Sequence, residues 1–250
     1  MPFTFAHPSI VLPLKSKYFN YSGLILGSMA PDIIYFVLFS PSSNFGHTFM
    51  GFLLFNLPMC FLLNYLFYKY IQELFICTLP NFISNKYMYL IKNKNILSNK
   101  RDIFIFVYSC LIGMITHVLW DAFTHNTGFF VQNIEFLRSS ITLFHFNIPI
   151  YKILQHGSTL VGFFIIFVYI YKNRDKMNKK YYLKINKKKI RLSIIFITFI
   201  LTILFIIFFL KTKGFVGIGR IIVTFINSLF LSYLVVGFAY NNKLFIKYKK

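Results

Sequence analysis

Long apolar runs separated by short polar or basic connections set the pattern of this chain. A membrane-crossing helix takes roughly 20 mostly apolar residues. Six segments read as candidates: 22–39, 49–70, 103–124, 158–171, 192–210 and 218–240. Pro58 predicts a kink in the second. The fourth is short at its apolar core, and the fifth is nearly pure Ile, Phe, Leu and Thr. The first is interrupted at Pro31, which leaves open a five-crossing chain in which 22–39 does not cross. The pattern predicts an all-α, polytopic integral membrane protein of about six transmembrane helices with a short amino-terminal helical hairpin. No internal repeat and no cleavable signal peptide are expected.

Composition narrows the class further. Of 250 residues, 57% are hydrophobic and only 13% charged, where a soluble domain carries about 25% charged residues. A mean hydropathy of +0.63 agrees. The aromatic content of 21% argues against disorder. Cys60, Cys77 and Cys110 are scattered, with no CxxC pair, which excludes a disulfide scaffold or a zinc finger.

The formal net charge of +21 is carried in blocks between the apolar runs. Lys and Arg number five in 72–102, ten in 172–191 and four in 241–250, against none in 40–48, two in 124–157 and two in 211–217. Cytoplasmic loops collect Lys and Arg. The alternation therefore predicts a multi-pass protein of the cell membrane with both termini cytoplasmic. The basic segments are read as anchors beside anionic lipid, and no nucleic acid is expected as a partner. One membrane domain spans 1–250. Residues 1–171 carry the candidate site, 172–191 form a basic cytoplasmic loop, 192–240 supply two further transmembrane helices, and 241–250 form a basic tail.

Ionisable residues inside apolar segments are expensive and usually functional. Of the six acidic residues, only Asp32 and Asp121 lie within such segments. His117, Asp121 and His125 are spaced i, i+4, i+8, so a helix places them on one stripe. The stripe rises about 12 Å, too long for one ion unless the helix ends early, and Gly128 is a candidate terminator. Two adjacent ions bridged by Asp121 are one arrangement it allows, since paired metals sit about 3.5–4 Å apart. The bland alternative is a buried Asp–His pair that joins helices. His47, His125 and His156 fall at span ends on the extracytoplasmic side. Pro8 suits the first position of a short helix that His7 precedes. A hairpin with Lys15 and Lys17 at its tip brings His7 and Asp32 into the membrane interior, with a helix break at Pro31-Asp32. Broken helices are tolerated in membranes where they line a site or cavity. His145 carries no mark of a site. Residues 137–153 read as an amphipathic stretch covering the site.

The segments MPFTFAHPSIVLPL, LILGSMAPDIIYF, FGHTF, THVLWDAFTH and LQHGSTL resemble, in that order, the domain of unknown function 4184 family of bacterial and archaeal integral membrane proteins. The order of residues is also similar to membrane-bound metal-dependent hydrolases and, more distantly, to zinc-dependent phospholipase C. The second resemblance implies metal ligands His7, Asp32, His47, His117, Asp121, His125 and His156, and a phosphoester hydrolase. The phospholipases carry a late His-x3-Glu pair, whereas Leu160 stands four residues after His156. One or two ions therefore fit better than three.

These readings converge on a membrane-embedded metal-dependent hydrolase acting on a phosphoester of a lipid or isoprenoid. Zinc is the first choice of ion, with manganese or iron as alternatives. Asp121 would bridge or orient the ions, and Asp32 would ligate or act as a base. The lipid bilayer is the expected partner. Two other readings stay open: a non-catalytic membrane scaffold and a proton-coupled transporter. No GxxxxGK[ST], GxGxxG or GxSxG signature is present.

Overall fold

A computed structural model describes residues 3–40, 44–143, 146–175 and 186–242. In chain order the elements are α1 (Pro8–Val11), α2 (Tyr21–Met29), a 3₁₀ turn Ala30–Asp32, α3 (Ile33–Val37), the long helix α4 (Phe49–Thr78) and α5 (Asn81–Tyr87). They are followed by α6 (Lys100–Thr124), α7 (Phe129–Asn133), α8 (Glu135–Arg138), strands β1 (Ser140–Leu143) and β2 (Phe146–Pro149), and helices α9 (Ile150–Lys172), α10 (Lys187–Lys213) and α11 (Ile218–Asn241). Among the described residues the protein is all-α apart from the β1–β2 hairpin. Half of the basic loop 172–191 and most of the basic tail 241–250 lie outside the described residues.

Five helical stretches among the described residues are long and apolar enough to cross a membrane: Phe49–Thr78, Lys100–Asn133 (α6 continued by α7), Ile150–Lys172, Lys187–Lys213 and Ile218–Asn241. The expected first crossing, 22–39, is instead the shorter apolar helix Tyr21–Val37. Pro31 lacks an N–H, and the helix tightens to a 3₁₀ turn around it. In α4, a π-helical segment, Phe52–Asn56, stands directly ahead of Leu57-Pro58. The fourth crossing begins earlier than its apolar core, because Pro149 caps α9 and the polar first turns join it. The stretch 137–153 holds a hairpin with Ser140 opposite Pro149 and Leu143 opposite Phe146. Ile141, Thr142 and Ile148 suit strands, so the stretch read as amphipathic takes the form of a hairpin.

Two compact units divide the chain. The first comprises Met1–Ile33, Asn44–Phe61 and Leu97–Asn173. Its centre is the contact of α2 with α6, made backbone to backbone. A Cβ at Gly113 would stand 2.5 Å from the Leu24 carbonyl and 2.6 Å from the Ser28 nitrogen, and one at Gly27 would collide with the Cys110 carbonyl. Small residues permit this approach between membrane helices. Asn20 caps α2 by accepting from the Gly23 N–H at 3.0 Å. At the hairpin tip, Lys15 Nζ lies 5.9 Å from the centre of the Tyr169 ring, near the end of α9.

The second unit comprises Ile34–Ser43, Leu62–Ile96 and Arg174–Lys250. Leu74, Ile190, Ile194 and Val236 form its core. Thr198 donates to Ser232 Oγ across α10 and α11 at 2.8 Å. Arg191 donates to the carbonyls of Thr78 and Leu79 at 2.5 and 2.9 Å, satisfying the carboxyl end of α4.

The α2–α6 contact generates a test. Gly113→Leu should destabilise the protein by about 3 kcal/mol, the upper range for overpacking. Gly157→Leu, whose Cβ meets nothing within 4 Å, should leave stability unchanged. Thermal unfolding in detergent reads both. Equal midpoints for the two variants would contradict the close crossing.

Candidate metal centre

Four segments of the first unit deliver polar side chains to one place. On α6, His117 and Asp121 are one helical turn apart and both buried. The helix ends at Thr124, ahead of Gly128, so His125 is its cap rather than a third member of the stripe. The ring of His125 turns back, with Nδ1 3.2 Å from the Asp121 carbonyl oxygen. Asp32 closes the 3₁₀ turn that Pro31 imposes. His47 ends the turn Phe45–His47 ahead of α4. That turn is anchored by Asn56 of the π-helical segment, which donates from Nδ2 to the Gly46 carbonyl at 2.7 Å. His7 stands at the start of α1.

Four of these residues face a common centre. Ligand atoms of Asp32, His47, His117 and Asp121 all lie within 4.8 Å of one another. His47 Nε2 is 3.6 Å from Asp32 Oδ1 and 3.4 Å from Asp121 Oδ2. His117 Nε2 is 3.5 Å from Asp32 Oδ1 and 3.3 Å from Asp121 Oδ2. Metal–ligand bonds of about 2.0–2.1 Å in a tetrahedron separate the ligands by about 3.3–3.4 Å. The four observed separations are close to that spacing and are long for hydrogen bonds.

Asp121 also faces the other way. Its Oδ1 lies 3.7 Å from His7 Nε2 and 3.4 Å from His125 Nδ1. One carboxylate thus stands between two groups of imidazoles. The His7 and His117 rings stack with centroids 3.8 Å apart, an arrangement suited to neutral imidazoles, the form that binds metals.

The supporting contacts hold these atoms in place. His117 Nδ1 is 2.7 Å from the Ser28 carbonyl oxygen, which leaves Nε2 toward the centre. Thr4 donates from Oγ1 to Asp32 Oδ2 at 2.6 Å, which leaves Oδ1 toward the centre. Asp32 Oδ1, His117 Nε2, Asp121 Oδ1 and both His7 ring nitrogens are buried without a hydrogen-bond partner. Buried polar atoms are rarely left so. With neutral imidazoles the two carboxylates carry two negative charges in an apolar surrounding, which a divalent cation offsets. The donor set fits such an ion.

Six of the seven expected ligands are therefore brought together: His7, Asp32, His47, His117, Asp121 and His125. His156 is exposed on α9. The buried residue there is Gln155, one position earlier, and a helical step of about 100° turns His156 outward. His145 lies outside the described residues. Sequence reasoning misses Thr4 and Asn56. A buried Asn in an apolar run is the available signal for the second, and Thr4 has none beyond its nearness to His7.

The family model Domain of unknown function (DUF4184) matches residues 1–238. No curated protein and no solved structure matches the chain.

The support from Thr4 generates a test. Thr4→Val should weaken divalent-metal affinity about ten-fold, the lower end for loss of a contact behind a ligand. Titration against a chelating metal indicator measures it. An unchanged affinity would show that Thr4 does not orient Asp32 for a metal.

Proposed function

The chain belongs to the family of the Domain of unknown function (DUF4184), and from the site it carries we propose a membrane-embedded, divalent-metal-dependent hydrolase of lipid or isoprenoid phosphoesters. The observation that supports this reading best is Asp121, with one oxygen toward His47 and His117 and the other toward His7 and His125. Asp32, His47, His117 and Asp121 would hold one ion, and His7, His125 and Asp121 a second. Zinc suits these nitrogen and oxygen donors, with manganese or iron as alternatives.

Divalent ions held by these residues would supply Lewis acidity and would bring the pKa of a bound water to about 7. The residues do the rest. Asp121 orients both halves of the site, and Asp32, fixed by Thr4, offers its free oxygen as ligand or base. The side chains of His47 and His125 are 21% and 22% exposed, so the opening of the site lies on their side. Two divalent ions against two carboxylates leave a positive balance, which favours an anionic phosphoester. The distribution of Lys and Arg favours the extracytoplasmic side for this end of α6.

Metal content by mass spectrometry on detergent-purified protein should give one or two ions per chain. Asp121→Asn and His117→Ala should lose them with the fold retained. Chelation should lower the thermal midpoint, because a bound ligand stabilises the folded state. A protein that takes up no divalent metal after reconstitution would overturn the hydrolase reading.

A further inference from the structure

Beside the metal centre, within the first unit, a groove of about 380 Å³ runs between α4 and α6. Its walls are Phe49 and Phe52 from α4, and Ile115, Val118, Leu119 and Ala122 from α6. Among the described residues that line it, His47 is the only polar one. We infer that this groove seats one hydrocarbon chain of a phosphate-bearing membrane amphiphile, whose head meets the metal centre at His47. The inference rests on the hydrolase reading and adds how the substrate enters.

Four observations carry it. The volume falls in the range of small-molecule sites, about 300–1,000 Å³. Beyond His47, its walls offer no side-chain partner to the hydroxyls of a sugar phosphate or a nucleotide, whose burial there would be unfavourable. Phe49, Ile115 and Leu119 are 72%, 59% and 48% exposed on helices long enough to cross a membrane, so the groove opens sideways toward hydrocarbon. His47 belongs both to the groove and to the centre, with Nε2 3.4 Å from Asp121. A chain already in the bilayer gains little from entering an apolar groove. Recognition then comes from the anionic head, and the groove aligns the ester bond.

The test uses wild-type protein in vesicles of digalactosyldiacylglycerol, a bilayer lipid that carries no phosphate. One probe is an alkyl phosphonate, a phosphate-like head whose C–P bond phosphoester hydrolysis leaves intact, with a diazirine in its chain, and the other is the alcohol of the same chain. After irradiation, adducts are mapped by mass spectrometry and metal content is measured on the same samples. The phosphonate probe should label Phe52, Ile115 or Leu119 at least ten-fold more than the alcohol. Leu119→Trp and Ala122→Phe should lower that labelling at least five-fold while metal content holds. Equal labelling by the two probes would mean ordinary surrounding lipid and would overturn the inference, as would labelling that the filled groove does not reduce. Bound metal with no groove labelling overturns this inference alone. Absence of metal overturns the hydrolase reading, whatever the probes show.

Discussion

Asp121 presents its two carboxylate oxygens to different imidazoles, and the first unit is arranged to make that tolerable inside an apolar bundle. A second carboxylate, Asp32, lies within the same cluster. Two such groups side by side repel unless protons or cations stand between them. The neighbours are three ring nitrogens at 3.3–3.6 Å and one at 3.7 Å, with few hydrogen bonds to spare. The polar contacts that do form are used behind the ligands, by Thr4 and the Ser28 carbonyl.

The local geometry follows from elementary constraints. Proline at 31 denies the helix a donor, so the backbone tightens where Asp32 must turn inward. A π-helical segment ahead of Pro58 brings Asn56 round to the Gly46 carbonyl, which steadies the loop bearing His47. Each irregularity places a polar atom that a regular helix would leave elsewhere.

Much of this is legible in the chain itself. A spacing of four residues puts His117 and Asp121 on one face, and Pro31 announces the break beside Asp32. The candidate ligands stand out because ionisable residues in apolar runs are so few. His156 is not separable from the others in sequence, because its exposure depends on the rotation of α9, which turns Gln155 inward instead. The hairpin β1–β2 escapes notice because four-residue strands carry little periodic signal. The count of crossings depends on whether a proline-broken segment is long enough to span, and composition does not decide that.

The backbone crossing of Gly27 and Gly113 has a mechanical consequence. Asp32 lies five residues beyond Gly27, an arm of about 7.5 Å along a helix. His117 lies four residues beyond Gly113. A change of tilt of about 10° at the crossing would move the end of such an arm by about 1.3 Å, well beyond the ±0.2 Å that a metal site tolerates. The crossing acts as a fulcrum, and a metal ion held by Asp32 and His117 would read the angle between the two helices as a change in affinity.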